Sequence, residues 1–217
     1  MIRVVVFDLD GVLVESEDLW DEARRAVAAE HRGTWRDDAT RAMQGMSSPE
    51  WAAYLHDEVG VDLPKDEIVD VVVDGLLDRY RQHLPLLPGA VEAVRRMSAR
   101  WPLGLASSAN RAVIDVVLDL AGLGDAFAVT LSSEEVPRGK PAPDVYVEVA
   151  RRLGEEPRHC VAVEDSTNGI RSAAAAGCCV VAVPNREFPP DAAVLSDAAV
   201  VLRDLDELTV DLLNALS

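Results

Sequence analysis

Short apolar runs rich in β-branched residues alternate with longer stretches of helical periodicity, and this alternation constrains the fold most. The runs have continuous rather than alternating hydrophobicity, which is typical of strands buried on both faces of a parallel sheet. We expect strands at 3–8, 102–108, 126–132, 160–165, 179–184 and 198–204. Helical patterns follow at 89–100, 111–122, 143–154, 167–177 and 205–216. This order predicts an α/β fold with a doubly wound parallel sheet.

Residues 15–86 interrupt the alternation. They contain no strand-like run, but four amphipathic helical patterns occur there, at 18–30, 37–43, 49–59 and 65–83. Loop signals rich in Gly, Pro and Ser separate these patterns. We therefore expect two domains, an all-helical module of residues 15–86 inserted into a core formed by 1–14 and 87–217.

The chain of 217 residues is strongly acidic, with 38 Asp and Glu against 21 Lys and Arg and a formal net charge of −17. Such a surface repels polyanions, which argues against nucleic acid or a membrane as a partner. The three cysteines show no metal-binding spacing, so we expect reduced thiols. We find neither a signal-peptide pattern nor a membrane-spanning run, and predict a cytoplasmic monomer, with a dimer as the alternative.

Polar residues stand where several predicted strands end. In open α/β sheets the loops that leave the carboxyl ends of the strands form the ligand-binding crevice. We therefore expect these side chains to converge, with a lysine from the loop that precedes a neighbouring helix. The candidates are Asp8, Asp10, Ser107, Ser108, Lys140, Glu164 and Asp165.

These residue types suggest phosphoryl transfer. Clustered carboxylates repel one another unless a cation joins them, and hard oxygen ligands suit Mg²⁺. Asp8 could attack phosphorus as a carboxylate nucleophile, while Asp10 could protonate the leaving oxygen and later deprotonate water. Ser107 and Lys140 would hold the phosphoryl oxygens. The chain has only two lysines, Lys65 and Lys140, which makes the lysine of "RGKPAPD" a notable residue.

Four stretches together resemble the motifs of the haloacid dehalogenase (HAD) superfamily: "FDLDGVLVES", "LASSAN", "KPAPDVY" and "VAVEDSTNGIRSAAAAG". The resemblance covers the core and implies a Rossmann-like fold with a helical cap, similar to the branch of β-phosphoglucomutase and sugar-phosphate phosphatases. It implies Mg²⁺-dependent transfer through Asp8, with metal also held by Glu164, Asp165 and the backbone carbonyl of Asp10. Phosphate contacts are expected from Ser107, Ser108 and Lys140.

We expect the protein to hydrolyse a small phosphorylated metabolite, such as a sugar phosphate, and we place the substrate contacts of the cap at Trp20, Gln44, Gly45 and Met46. A sugar-phosphate mutase is the main alternative. Known mutases usually carry a cap histidine where Trp20 stands, and residues 15–86 hold 17 acids against 8 Lys and Arg, which opposes a bisphosphate intermediate. A dehalogenase would lack Asp10, and a phosphonatase would need a cap lysine better placed than Lys65. A phospho-accepting or inactive interaction module is the non-enzyme alternative.

Overall fold

The structure is a computed structural model, and it describes residues 1–43, 46–185 and 189–216. The chain forms two compact units, one of residues 1–15 and 86–217 and the other of residues 16–85. The strands are β1 (Val4–Phe7), β2 (Leu103–Ser107), β3 (Val129–Ser132), β4 (Cys160–Glu164), β5 (Cys179–Ala182) and β6 (Val200–Val201). The α-helices are α1 (Glu17–Glu30), α2 (Ala39–Ala42), α3 (Ser48–Tyr54), α4 (Lys65–Gln82), α5 (Ala90–Ser98), α6 (Arg111–Leu120), α7 (Asp144–Arg152), α8 (Thr167–Ala176) and α9 (Val210–Ala215).

The first unit is built on a parallel sheet with strand order β3-β2-β1-β4-β5-β6. The central strand β1 pairs with β2 on one side and with β4 on the other, in a register that sets Phe7 opposite Leu105 and Val163. All residues of β1, β2 and β4 are buried, as the continuous apolar runs predicted. The α/β doubly wound fold is therefore confirmed.

Helix boundaries in this unit follow local capping signals. Ser166 caps α8, because its Oγ accepts a hydrogen bond from the Gly169 N–H at 3.1 Å, as expected for a serine before a helix. The predicted helix at 205–216 is wrong as one continuous element. A 3₁₀ turn at Leu205–Glu207 precedes α9, and Thr209 is extended and caps α9 through a hydrogen bond from the Leu212 N–H.

The second unit contains only helices among its described residues. Helix α1 packs against α4, and α3 packs against α4. Buried residues of α1 recur at helical spacing on one face, beginning with Trp20 and including Arg24. A π-helical turn, Leu55–Val59, continues α3 and ends at Gly60, whose φ of 81° lies in the left-handed region. None of the helices in the described ranges of the chain combines the length and apolar character needed to cross a bilayer.

Candidate active site

Strand β1 delivers Asp8 to the carboxyl edge of the sheet. The Asp8 N–H donates to the Val163 carbonyl at 3.0 Å, which extends the pairing of β1 with β4 by one residue. The side chain then turns back, and its Oδ1 accepts a hydrogen bond from the Leu9 N–H at 2.8 Å. The Asp8 carboxylate is therefore held in place by its own loop.

Strand β4 ends at the same edge with Glu164, and Asp165 follows directly. Oxygens of Asp8, Glu164 and Asp165 all lie within 4.8 Å of one another, and all three residues are buried. Three buried carboxylates with hard oxygen donors at this separation fit a divalent cation such as Mg²⁺ or Mn²⁺. The predicted acidic pair after β4 thus lies beside Asp8.

Two glycines make room for these carboxylates. A Cβ built on Gly11 would lie 1.9 Å from Asp165 Oδ2, and the φ of Gly11 is 76°. A Cβ on Gly169, in the first turn of α8, would lie 1.8 Å from Glu164 Oε2. Both positions therefore require glycine for close approach, and Gly11 requires it for its backbone conformation as well.

Lys140 places its ammonium group among the acids. Its Nζ lies 2.6 Å from Glu164 Oε1, 3.0 Å from Asp8 Oδ1 and 3.0 Å from the Ala106 carbonyl oxygen. An ammonium group has three N–H donors, so each has an acceptor here. Burial alone would lower the pKa of Lys140, but the charges of Asp8 and Glu164 outweigh burial and raise it. Lys140 is therefore a permanent buried cation.

The charge of this cluster remains unbalanced despite the lysine. Burial, followed by repulsion from Glu164, raises the pKa of Asp8 from 3.8 to about 8, and the attraction of Lys140 only partly opposes this. A divalent cation would favour the ionised form of Asp8, since an opposite charge nearby lowers a carboxyl pKa. The electrostatics therefore agree with the donor set in favouring a metal.

The remaining predicted residues of the core lie close by. Ser107 is buried at the end of β2, where its Oγ donates to Asp10 Oδ2 at 3.4 Å and accepts from the Ala109 N–H at 3.0 Å. Ser108 follows it and is half-buried. The structure thus brings Ser107 to Asp10, while Lys140 joins Asp8 to Glu164.

The residues predicted to contact substrate from the helical module lie in the second unit or outside the described residues. Trp20 is buried and packs against Trp51, with ring centroids 5.9 Å apart. The guanidinium carbon of Arg24 lies 5.0 Å from the Trp20 ring centroid, within cation–π distance. Met46 is half-buried, and Gln44 and Gly45 lie outside the described residues. Their contact with substrate stays a prediction.

Sequence reasoning assigned no role to Tyr146 of α7. Its side chain is buried, and its hydroxyl donates to Glu164 Oε1 at 2.5 Å. Burial and then the charge of Glu164 raise the pKa of Tyr146 well above its ordinary value, so the hydroxyl stays protonated and donates. One signal was available, because a tyrosine on the buried stripe of a helix needs a hydrogen-bond partner for its hydroxyl.

Comparison with known proteins decides the family. The sequence model of the hydrolase family described as haloacid dehalogenase-like hydrolase matches residues 2–177. The chain belongs to the haloacid dehalogenase-like hydrolases. It is 36% identical to hexitol phosphatase B of Escherichia coli K12, over 98% of this chain and 97% of the relative. It is 31% identical to protein CbbY of Rhodobacter capsulatus, over 85% of this chain and 86% of the relative.

Solved structures agree with this HAD assignment. CbbY from Rhodobacter sphaeroides, solved in complex with phosphate, superposes with a TM-score of 0.86 at 25% identity, covering 96% of each chain. β-Phosphoglucomutase from Clostridium difficile gives a TM-score of 0.83 at 22% identity, covering 99% of this chain and 96% of that one, and this likeness concerns the fold alone. The predicted HAD resemblance is confirmed, and so is the prediction of a HAD-like hydrolytic enzyme.

Proposed function

We propose that this HAD-like hydrolase is a Mg²⁺-dependent phosphatase that releases phosphate from a small phosphorylated metabolite through an aspartyl-phosphate at Asp8. The observation that carries the proposal is the buried cluster of Asp8, Glu164 and Asp165, with the Lys140 ammonium 3.0 Å from Asp8 Oδ1. The phosphatase relative at 36% identity supports a sugar phosphate or hexitol phosphate as the substrate class.

Asp8 and Asp165 would hold the metal with their side chains, with Glu164 and the backbone carbonyl of Asp10 as the further ligands. When bound, Mg²⁺ supplies positive charge that neutralises the carboxylates and the incoming phosphoryl oxygens. Gly11 supports this assignment, because any side chain there would displace the Asp165 carboxylate. Manganese, with similar oxygen preferences, would substitute in part.

The reaction proceeds in two displacements at phosphorus. In the first, a carboxylate oxygen of Asp8 forms a bond to phosphorus while the ester P–O bond breaks, and Asp10 gives its proton to the leaving oxygen. In the second, a water oxygen attacks phosphorus, Asp10 takes the water proton, and the acyl-phosphate P–O bond breaks. Free Asp8 and inorganic phosphate result, so atoms and protons balance over the cycle.

Charge on the transferring group is stabilised by donors at the same sheet edge. Ser107 and Ser108 are assigned to the phosphoryl oxygens as hydrogen-bond donors, and Lys140, whose N–H groups already have protein acceptors, is assigned to them through its charge. Ser107 is buried beside Asp10, which supports a contact between Ser107 and a phosphoryl group that lies between Asp8 and Asp10. Lys140 also holds Asp8 Oδ1, which fixes the orientation of the nucleophile.

Substrate selection is assigned to the helical module of residues 15–86 as a cap, with contacts from Trp20, Gln44, Gly45 and Met46. The leaving group differs among phosphomonoesters while the phosphoryl group does not, so discrimination belongs to residues outside the core motifs. The expected partner is a small phosphorylated metabolite. A cytoplasmic location and a monomeric state stay predictions.

The test begins with metal-free protein and p-nitrophenyl phosphate. We expect no p-nitrophenol release with a chelator and full release after Mg²⁺ is added, while Ca²⁺ inhibits because its looser coordination misplaces the nucleophile. A panel of hexitol phosphates, hexose phosphates, pentulose phosphates and flavin mononucleotide then ranks substrates by kcat/KM. Full activity of demonstrably metal-free protein would refute the metal role, and inactivity on every ester with Mg²⁺ would refute the phosphatase assignment.

A further inference from the structure

Tyr146 is the one buried tyrosine of the first unit, since the chain's other two tyrosines lie in the second. It belongs to the hydrophobic cluster under the sheet, together with Val145, Val149 and Ala150. A phenylalanine would satisfy that packing equally well. The hydroxyl therefore needs a separate explanation, because burying it costs free energy unless it is hydrogen-bonded.

The explanation lies in the Glu164 carboxylate, which the hydroxyl shares with Lys140. Glu164 Oε1 accepts the Tyr146 hydroxyl at 2.5 Å and the Lys140 ammonium at 2.6 Å. The other oxygen, Oε2, faces Ser166 Oγ at 3.4 Å and lies against Gly169. Both oxygens of Glu164 are therefore positioned, and the carboxylate cannot rotate without breaking the bond from Tyr146.

The aromatic ring of Tyr146 also lies close to the lysine. The Lys140 Nζ lies 5.3 Å from the centroid of the Tyr146 ring, within cation–π distance. One side chain thus meets both members of the ion pair, the carboxylate through its hydroxyl and the ammonium through its ring. A lysine side chain has many rotamers, so contacts of this kind decide which acceptors its ammonium reaches.

We propose that Tyr146 is a positioning residue, which fixes Glu164 and through it holds the Lys140 ammonium against Asp8 Oδ1. Lys140 and the Leu9 N–H both hold Asp8 Oδ1, so these two contacts set the orientation of the whole Asp8 carboxylate. This inference rests on the proposed phosphatase function. It assigns Tyr146 no contact with the substrate or the metal.

The decisive variant is Tyr146→Phe, which keeps the ring and its packing and removes only the hydroxyl. We expect kcat to fall about tenfold while KM changes less than twofold, because the Asp8 nucleophile is misaligned after substrate has bound. Tyr54→Phe is the matched control, since the Tyr54 hydroxyl is buried without a hydrogen-bond partner among the described residues. Wild-type kcat in Tyr146→Phe would overturn the proposal. So would a loss explained wholly by a smaller folded fraction in near-ultraviolet circular dichroism.

A second measurement tests the same series of contacts, from Tyr146 through Glu164 to Lys140, and does not depend on catalytic activity. The protein has only two lysines, so a ¹⁵N spectrum of the lysine side-chain ammonium groups holds two resonances, and Lys65 is an internal reference. In metal-free protein, Tyr146→Phe should shift the Lys140 resonance and leave that of Lys65 unchanged, while Tyr54→Phe should move neither. A Lys140 resonance unmoved by Tyr146→Phe would overturn the proposal even if kcat fell.

The two arms separate this inference from the phosphatase assignment. If wild-type protein with Mg²⁺ hydrolyses no phosphomonoester but Tyr146→Phe shifts the Lys140 resonance, the proposed function fails while the coupling of Tyr146 to Lys140 stands. If wild-type protein is an active phosphatase and Tyr146→Phe changes neither kcat nor the resonance, the proposed function stands and the positioning role fails.

Discussion

The two lysines of the chain form ion pairs of the same length in opposite surroundings. Lys65 lies 2.6 Å from Asp57 in the helical unit, and the two side chains are 47% and 52% exposed. Lys140 lies 2.6 Å from Glu164 in the sheet unit, and these side chains are 3% and 0% exposed. Water screens the first pair, whereas the second is removed from water and depends on its protein partners. The N–O distance alone therefore says little about what an ion pair contributes to stability.

The acid partners of the two lysines show the same contrast in their pKa values. Hydrogen bonds from Lys65 and then His56 lower the pKa of Asp57, as expected for an exposed carboxylate that loses little of its hydration. Burial raises the pKa of Asp8 to about 8 although Lys140 lies 3.0 Å away. A carboxyl group whose pKa is strongly raised by burial and by neighbouring charges is typical of a functional site. The variants below test this contrast.

The largest effect is expected from Asp8→Asn, because an amide cannot attack phosphorus. Turnover should fall by a factor of about 10⁴ or more, as when other catalytic nucleophiles are removed. Metal-free Asp8→Asn should nevertheless unfold at the same temperature as wild type or higher at pH 7, since the amide carries no buried charge. Asp57→Asn is the matched control and should keep wild-type turnover. Near wild-type phosphatase activity in Asp8→Asn would refute the covalent mechanism.

Replacing each lysine in turn should show that the two ion pairs contribute differently to the free energy of unfolding. We expect Lys140→Met to lower the free energy of unfolding by about 3–5 kcal/mol in metal-free protein, because Asp8 and Glu164 lose their buried counter-ion. Lys65→Met should change stability little, since Asp57 is exposed and solvated by water. Urea unfolding followed by circular dichroism measures both variants. Equal stability of the two variants would mean that burial of Lys140 does not matter energetically.

Two glycines of positive φ allow a similar comparison of the units. Gly60→Ala should cost about 1–2 kcal/mol for the left-handed backbone alone, because its Cβ would meet nothing within 4 Å. Gly11→Ala carries that cost and also displaces the Asp165 carboxylate, whose Oδ2 would lie 1.9 Å from the new Cβ. Mg²⁺ affinity, measured by calorimetry, should fall about tenfold in Gly11→Ala and stay unchanged in Gly60→Ala. Equal affinities in both variants would remove Asp165 from the metal site.

Much of the sheet unit could be predicted from sequence because its signals are local. Val4–Phe7 forms a short, continuous, β-branched apolar run typical of a buried strand, and the acids that follow such a strand stand at the carboxyl edge of a parallel sheet. Lys140 was identified through its rarity and its motif. Its contact with the Ala106 carbonyl could not be predicted, since a backbone acceptor leaves no mark on the sequence. The Tyr146 hydroxyl was missed for a related reason, because helical periodicity indicates burial but not the partner, which lies 18 residues away.

The smallest expected effect concerns the mutase alternative, where we predict no isomerisation. A mutase must pass its phosphoryl group to a sugar hydroxyl rather than to water, which requires a base and cationic contacts around the acceptor sugar. Trp20 offers an indole, a donor without useful basicity, and its ring packs against Trp51 and beside Arg24. Hexose 1-phosphate supplied with its bisphosphate should therefore yield inorganic phosphate and no 6-phosphate isomer in a ³¹P NMR time course, with Asp8→Asn as the background. An isomer formed faster than phosphate is released would show that the helical unit, despite its acidity, provides an acceptor site.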